Sequence, residues 1–298
     1  MLTRWKKSAK PVRSDELSPA DRPLRNTRSE SNGAYPPRFA ISVGLLSDVG
    51  CQRAINEDCG YYEQPHDPAR LGSKGLLALV ADGMGGNAAG EIASRMAATI
   101  ISLAYYASRQ PPREALSESF ETANRAIYQA ARKQSRLHGM GTTCTALVIH
   151  EGAAYAAQVG DSRLYLIRDE QIYLMSEDHS AVMEMVRRGA LTIEDARHHA
   201  DKNVILRALG TQPAVSVSTW QAAFPVRDQD CFVLCSDGLY DLLSDEEIRE
   251  TVTSSEPQTA CDQLIALARQ RGGYDNITAV VIRLQACAET RSAGVPPA

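Results

Sequence analysis

Short apolar runs bordered by acids and turn residues recur along this 298-residue chain. The clearest is Leu76–Ala81, which leads directly to Asp82 in the sequence DGMGG. A run of this length between turn residues predicts a buried strand. Four further clusters place acids beside a predicted strand, namely Asp48 with Glu57 and Asp58, then Asp161, Asp237 and Asp275. One such acid is an ordinary turn residue, but five clusters are expected to converge where strand ends meet at one rim of a sheet or sandwich.

Helices and further strands are predicted between these clusters. Glu91–Ser108 and the segment after Pro112 have apolar residues at helical spacing, which predicts two amphipathic helices. Their predicted buried stripes are Ile92, Met96, Ile100, Leu103 and Ala104 in the first, and Leu116, Phe120, Ala123, Ile127 and Ala131 in the second. Other strands are predicted over Thr143–His150, Ala153–Val159, Leu164–Arg168, Phe232–Ser236 and Thr278–Leu284, and other helices over Asp245–Val252 and Pro257–Gln270. Because short successive strands favour antiparallel pairing, this order predicts an α+β layered domain.

The segment from about Ala181 to Asn203 has a different character. Its hydrophobic periodicity weakens around one short predicted helix that contains Val182, Met185 and Val186. A segment with few anchors in the core opens locally at a low free-energy cost. We therefore predict a mobile segment over about residues 181–203, and we call it the flap.

Composition limits the classes of protein to which this chain can belong. Residues 1–38 contain nine Lys or Arg and four Asp or Glu, which predicts a disordered basic tail, and residues 287–298 are expected to be a flexible end. One folded domain is therefore expected over residues 39–286. A net charge of −4 argues against a general nucleic-acid binder, and no apolar stretch reaches the roughly 20 residues of a membrane span. Seven cysteines without a CxxC pair indicate reduced thiols and a cytoplasmic location.

The converging acids imply a bound cation. Ionised carboxylates that lie together raise one another's pKa, so several of them stay charged only beside a compensating positive charge. Oxygen-only ligands are the set that Mg²⁺ and Mn²⁺ prefer in proteins. The acids therefore predict a Mg²⁺ or Mn²⁺ site.

Eight motifs follow one another over about residues 40–284. They are SDVGCQRAINED (Ser47–Asp58), VADGMGGNAAGEIAS (Val80–Ser94), GMGTTCTAL (Gly139–Leu147), VGDSRLYLIR (Val159–Arg168), EDHS (Glu177–Ser180), RALG (Arg207–Gly210), LCSDGLYDLL (Leu234–Leu243) and DNIT (Asp275–Thr278). In residues, order and spacing they resemble the bacterial branch of the PP2C-like (PPM) family, whose members are metal-dependent Ser/Thr protein phosphatases. The resemblance covers nearly the whole of the expected folded domain.

The resemblance implies a fold and a reaction. The fold is a central β-sandwich of two antiparallel sheets with a pair of antiparallel helices on each outer face, in four layers αββα. The metal centre lies at one end of the sandwich, beside the flap. The reaction is hydrolysis of phosphoserine and phosphothreonine on proteins, by a water that a binuclear Mg²⁺ or Mn²⁺ centre activates. The implied partners are phosphoprotein substrates and a cognate Hanks-type Ser/Thr kinase that the enzyme opposes, and the enzyme is expected to be a monomer.

The same resemblance implies which residues bind the metals. By motif position, Asp82 bridges both ions and Gly83 offers its carbonyl oxygen. Asp237 and Asp275 complete the protein ligands of one ion, and Glu57 contributes to the other. The structural alternative for each of these acids is an ordinary turn cap or surface charge, and it has most weight for Glu57, whose longer side chain could bind through water.

Three further residues receive roles from the motifs. Asp58 is expected to hold a water on the metal without binding the ion itself. Arg53 matches the phosphate-binding arginine of the family, because a guanidinium fork suits the paired oxygens of a phosphoryl group. Asp161 matches the position that holds a weaker third metal together with Asp237, and its alternative role is a structural cap of the turn.

The EDHS motif and two departures complete the comparison of motifs. His179 is expected to order the flap by hydrogen bonding, with Ser180 beside it, and not to bind metal. Met84 stands where eukaryotic relatives often have a histidine that is proposed as a general acid, so a metal-bound water would have to protonate the leaving group. Bacterial relatives share this methionine. Asn87 stands where the family often has His, and the sequence does not indicate what this change costs.

Three functional hypotheses remain open on the sequence. The first is an active protein Ser/Thr phosphatase. The second is a metal-free binding module, whose signature would be the loss of acids at the ligand positions, and those acids are all present. The third is a metallohydrolase that acts on a small phosphoester or on nucleic acid, and the lack of a basic face argues against nucleic acid.

Overall fold

The computed structural model describes residues 39–85 and 89–287. Its strands, in chain order, are β1 (Phe39–Asp48), β2 (Asp58–Glu63), β3 (Leu76–Met84), β4 (Gly141–Thr142), β5 (Cys144–His150), β6 (Ala153–Val159), β7 (Arg163–Arg168), β8 (Gln171–Leu174), β9 (Ser218–Thr219), β10 (Phe224–Pro225), β11 (Cys231–Cys235) and β12 (Ile277–Ala286). Its helices are α1 (Pro68–Lys74), α2 (Ala89–Ala107), α3 (Pro112–Lys133), α4 (Ala181–Arg187), α5 (Ile193–His198), α6 (Asp237–Tyr240), α7 (Asp245–Ser254) and α8 (Pro257–Gln270).

The strands form two antiparallel sheets. One has the order β1-β12-β11-β7-β8, and the other has the order β10-β6-β5-β3-β2, with β4 beside β3 and β9 beside β6. The hairpin between β5 and β6 turns at Glu151 and Gly152, whose φ angles of 48° and 72° are both left-handed. Two left-handed residues give the turn a twist that matches the twist of the paired strands.

Alternation along the central strands creates three packed layers of side chains. Leu76, Ala78 and Val80 of β3 point between the two sheets, whereas Leu77 and Leu79 belong to the outer layer that also contains the buried residues of α2 and α3. In β11, alternate residues likewise point between the sheets or toward α7 and α8. A strand that is buried on both faces is apolar at every position, which explains its unbroken hydrophobic run. The predicted four-layer αββα fold is confirmed.

The predicted buried face of α2 is only partly right, whereas that of α3 is confirmed. In α2 the fully buried residues include Ala93, Ala97, Ile101 and Tyr105, and Leu103 is 65% exposed. Small side chains on the inner face let the helix lie close to the sheet, and the larger Ile and Met residues pack at its flanks. Hydrophobicity alone therefore predicts a stripe that is displaced by about one residue from the observed inner face, with Ile92, Met96 and Ile100 at its flank.

The flap contains two short helices, α4 and α5, of which only the first was predicted. Thr192 caps α5 through a reciprocal pair of bonds with Asp195, a capping box that the sequence contains. Val182 and Ala196 are the buried residues of the two helices. The mobility of the flap stays a prediction. Of the predicted tails, 1–38 and 287–298, all residues but 287 lie outside the described part of the chain.

No helix in the described part of the chain is long and apolar enough to cross a membrane.

A buried ion pair joins the end of β7 to the turn before β11. Arg168 Nε and Nη2 donate to the two carboxylate oxygens of Asp230 at 2.7 and 2.6 Å, and both side chains are almost fully buried. Asp230→Ala would remove the counter-charge of a buried guanidinium, and we expect it to lower the unfolding free energy by about 3–5 kcal/mol in urea titrations. The exposed pair Arg125–Glu121 provides the control, because Glu121→Ala should cost less than about 1 kcal/mol. Equal losses in the two variants would contradict this prediction.

Candidate metal centre

Five aspartates from both sheets meet at one end of the sandwich. Asp58 lies directly opposite Asp82 in the register of β2 and β3. Asp161 follows β6, Asp237 follows β11, and Asp275 precedes β12. Burial raises the pKa of Asp82 well above its usual value, and the charges of the other four aspartates raise it further. The structure therefore brings together the acids that the sequence placed beside separate strands.

Asp58 is held by two hydroxyl groups from the opposite sheet. Ser236 Oγ and Thr278 Oγ1 donate to its Oδ2 at 2.6 and 2.7 Å. Burial raises the pKa of Asp58 to about 6 in spite of these bonds, which favour the ionised form. The second carboxylate oxygen, Oδ1, is buried without a hydrogen-bond partner. Asp58 is thus oriented through one oxygen, and its other oxygen is available to the centre.

Two orphaned oxygens test whether the site fits a cation. Among the buried side-chain N and O atoms of the described residues, Asp58 Oδ1 and Asp237 Oδ1 alone lack a partner. Such an atom costs about 1–3 kcal/mol, and a divalent cation or its water shell would compensate it. No three His, Cys, Asp or Glu side chains of residues 39–85 and 89–287 are already arranged around one point as ligands. The residues therefore fit divalent cations by their donor chemistry, without a finished coordination geometry.

Glu57 lies where the first turn of α2 packs against the end of β3. Its Oε1 accepts from Gly90 N at 3.1 Å, and its carbonyl oxygen accepts from Gly83 N at 3.1 Å. A Cβ on Gly83 would lie 2.1 Å from Gly90 O, so only glycine permits this backbone contact. Burial raises the pKa of Glu57. Met84 ends β3 after Gly83, and Asn87 lies outside the described residues.

Asp161 is buried beside a stacked arginine. Burial, and next the charge of Asp178, raise the pKa of Asp161 to about 7. Arg163 donates to both oxygens of Asp178, with Nη2 at 2.7 Å from Oδ2, and its guanidinium lies 3.8 Å from the ring centroid of Tyr240. Asp178 is thus engaged with Arg163, whereas Asp161 is not part of that ion pair.

His179 and Ser180 connect the turn before Asp161 to the flap. Gly160 N donates to His179 Nδ1 at 3.0 Å, and His179 N donates back to Gly160 O at 3.0 Å. The other ring nitrogen of His179 lies 2.9 Å from Ser218 Oγ. Ser180 caps α4 by accepting from Met183 N. Both residues thus serve the entry to the flap through hydrogen bonds.

Arg53 lies at the rim of the centre. It belongs to residues 49–57, the connection between β1 and β2, which we call the Arg53 loop. Its side chain is 50% exposed, and Nη2 lies 2.8 Å from Asp275 Oδ2. An exposed guanidinium in contact with an acid of the centre is within reach of an anion bound there.

Sequence reasoning missed the residues that orient the acids. Ser236 and Thr278 hold Asp58, and Asp178 holds Arg163. All three lie within the quoted motifs, so the sequence marked them as candidates. It did not show which residues they contact, because 178 and 220 residues of chain separate Asp58 from its two hydroxyl donors.

Comparison with known proteins identifies the family. The family model described as protein phosphatase 2C matches residues 66–280. The serine/threonine phosphatase stp of Listeria innocua is 35% identical over 242 residues, which cover 79% of this chain and 93% of that protein. The crystal structure of the Mycobacterium tuberculosis serine/threonine phosphatase PstP/Ppp matches with a TM-score of 0.72 and 33% identity, over 82% of this chain and 99% of that one.

A second solved structure that is similar to this chain contains metal ions. The catalytic domain of the serine/threonine protein phosphatase PstP in complex with two manganese ions matches with a TM-score of 0.70 and 32% identity, over 83% of this chain and 100% of that one. The family model and these relatives each match most of the chain, and together they establish its family. This chain belongs to the protein phosphatase 2C family, and it is a bacterial PPM-type protein serine/threonine phosphatase.

Proposed function

We propose that this phosphatase removes phosphate from phosphoserine and phosphothreonine on proteins through a binuclear Mg²⁺ or Mn²⁺ centre at the five converging aspartates. The observation that carries the proposal is the pair of buried, unpartnered oxygens, Asp58 Oδ1 and Asp237 Oδ1. Burying several carboxylates beside one another is unfavourable unless positive charge compensates them. The solved relative with two manganese ions supports the choice of metal.

The residues at the centre divide into ligands and orienting groups. Asp82 and the carbonyl oxygen of Gly83 would hold the ions together with Glu57, Asp237 and Asp275. When bound, such ions supply an activated water and neutralise charge on the phosphoryl oxygens.

A third, weaker ion would be held by Asp161 with Asp237. Burial and the charge of Asp178 raise the pKa of Asp161 to about 7. The charge of Asp161 also raises the pKa of Asp237, so the two carboxyl groups lie near each other. This proximity supports one ion shared between them.

Two side chains of the chain itself would act on the substrate and the water. Arg53 would grip the phosphoryl group, since a planar guanidinium donates to two of its oxygens at once. Asp58 would orient a water by accepting a hydrogen bond at Oδ1, while Ser236 and Thr278 fix its Oδ2. The ligands and the water-orienting Asp58 would then lie on strands or at their ends, and the phosphate-binding Arg53 would lie on the loop between β1 and β2.

The biological setting is part of the same proposal. We infer phosphoprotein substrates, a cognate Ser/Thr kinase whose products the enzyme reverses, a cytoplasmic location and a monomeric state. A phosphoproteomic comparison of strains with and without the gene tests the kinase relationship, because the phosphosites that increase should match those of one kinase.

Divalent cations should be required for turnover. We expect the purified protein to hydrolyse a phosphothreonine peptide with Mn²⁺ or Mg²⁺ and to lose this activity reversibly in EDTA. Asp237→Asn should lower turnover by orders of magnitude, because it removes a charged ligand from the centre. The matched control is Asp262→Asn, which changes an exposed aspartate of α8 and should leave turnover intact. Full activity in EDTA, or in Asp237→Asn at limiting metal, would contradict the binuclear centre.

The hydroxyl groups that hold Asp58 should contribute to metal affinity. Ser236→Ala removes a 2.6 Å donor to Asp58 Oδ2. We expect the Kd for Mn²⁺ in calorimetry to rise by about 10–100-fold, the usual effect of losing a group that orients a metal site. Ser119→Ala is the control, because Ser119 is equally buried and donates within α3 to Leu116 O. If both variants bind Mn²⁺ alike, Asp58 does not act through Ser236.

The flap should govern access of protein substrates without supplying ligands. Main-chain bonds tie its two ends together, from Ala181 N to Val204 O at 2.8 Å and from Leu206 N to His179 O at 2.7 Å. We expect its amides to exchange faster than those of β11, because few of its residues are buried. Replacing residues 181–203 with a relative's segment should change rates on phosphoproteins and leave hydrolysis of an aryl phosphate intact. Equal losses on both substrates, or slow exchange throughout the segment, would rule out this role.

A further inference from the structure

The Arg53 loop has no apolar anchor of its own around Arg53. Residues 51–55 are all exposed, and Ile55 is 43% exposed. Burial of side chains therefore cannot fix the shape of this part of the chain, and hydrogen bonds to the main chain must do so. The position of Arg53 relative to the centre depends on those bonds together with its own contact to Asp275.

Backbone contacts hold the beginning of the loop. Cys51 N donates to Gly273 O at 2.6 Å. Gly50 has a φ of 80°, and a Cβ there would lie 2.1 Å from Asp275 O, so the chain passes directly over the residue before Asn276. These contacts fix the entry of the loop but not the part that follows Arg53.

One side chain, Asn276, spans the whole loop. Its Nδ2 donates to Val49 O and to Ile55 O, both at 3.0 Å, and its Oδ1 accepts from Glu57 N at 2.8 Å. Asn276 is 5% exposed. The amide therefore contacts the main chain before Arg53, two residues after it, and at Glu57.

The chemistry of these three bonds requires an amide. A primary amide carries two N–H donors and a carbonyl acceptor on one rigid plane, and all three functions are used here. Aspartate has no donor for the two carbonyl oxygens, and a hydroxyl group has one donor. The reversed orientation of the amide would set oxygen against two carbonyl oxygens, so the observed orientation is the one that the surroundings allow.

We propose that Asn276 is a positioning residue that fixes Arg53 for phosphate binding. The inference rests on the proposed role of Arg53, and it assigns Asn276 no contact with substrate. Every hydrogen bond that the Asn276 side chain makes to the loop is to a main-chain atom. Asn276 therefore acts on Arg53 through the path of the main chain.

The test compares Asn276→Ala with a matched control. We expect amides of residues 51–57 to exchange about tenfold faster once these hydrogen bonds are lost, while β12 stays protected. The kcat/KM for an aryl phosphate should fall by about 10²-fold, the effect of a misplaced binding group, chiefly through a higher KM. Affinity for Mn²⁺ should stay near that of the unaltered enzyme, because Glu57 keeps its bonds to Gly83 and Gly90. Asn124→Ala is the control, since Asn124 is buried, donates to Gln212 O and accepts from Gly210 N.

Combination with Arg53→Ala separates this inference from the proposed function. If Asn276 acts through Arg53, the double variant should lose no more kcat/KM than Arg53→Ala alone. Additive losses, a collapse of Mn²⁺ affinity or unchanged exchange of the loop would each overturn the inference. An Arg53→Ala variant with unchanged KM would instead overturn the role of Arg53, while the exchange result would still decide whether Asn276 fixes the loop. Should Asn276→Ala not fold, Asn276→Asp retains the acceptor for Glu57 N and loses both donors, so it should release residues 51–55 alone.

Discussion

Mutual repulsion among buried carboxylates is the constraint on which this molecule is built. Asp58, Asp82, Asp161 and Asp237 all have raised pKa values, and burial is the largest cause in each case. Such a cluster is unfavourable in isolation, because charge is removed from water and like charges are brought together. It persists because the strands that carry the acids are fixed by their own packing. The residues that stabilise the fold are therefore different from the residues that form the centre.

The packed strands of the sandwich hold the acids in fixed positions. β3 is buried on both faces, between the sheets on one side and against α2 on the other, and it delivers Asp82 at its end. Ser236 and Thr278 extend this order across the sandwich by holding Asp58 from β2. The Arg53 loop is different, because polar contacts and not burial define it. Rigid strands and the turns at their ends thus carry the five aspartates, and a hydrogen-bonded loop carries Arg53, the residue proposed to bind the substrate.

Features that depend on residues near one another in the chain could be predicted from the sequence, and features that depend on distant residues could not. Strands such as β3 and β6 were predictable, because hydrophobic runs and turn residues act over a few neighbours. The inner face of α2 was not, because it is chosen by how closely Ala93 and Ala97 let the helix approach the sheet, which hydrophobicity does not measure. The acids could be predicted to meet, since each borders a strand. The contacts that orient Asp58 and the Arg53 loop could not be predicted, because Ser236, Thr278 and Asn276 lie far from them in the chain.

The flap and the centre share one turn, which gives their relationship a physical basis. Burial, and next the charge of Arg207, lower the pKa of His179 to about 4, so its ring is neutral near pH 7. A neutral ring can accept from Gly160 N at Nδ1 and donate from its other nitrogen toward Ser218 Oγ. A protonated ring would set one N–H against another at Gly160. The neutral histidine therefore ties the chain just before the flap to Gly160, the residue before Asp161, so one hydrogen-bonded turn connects the start of the flap to an acid of the centre.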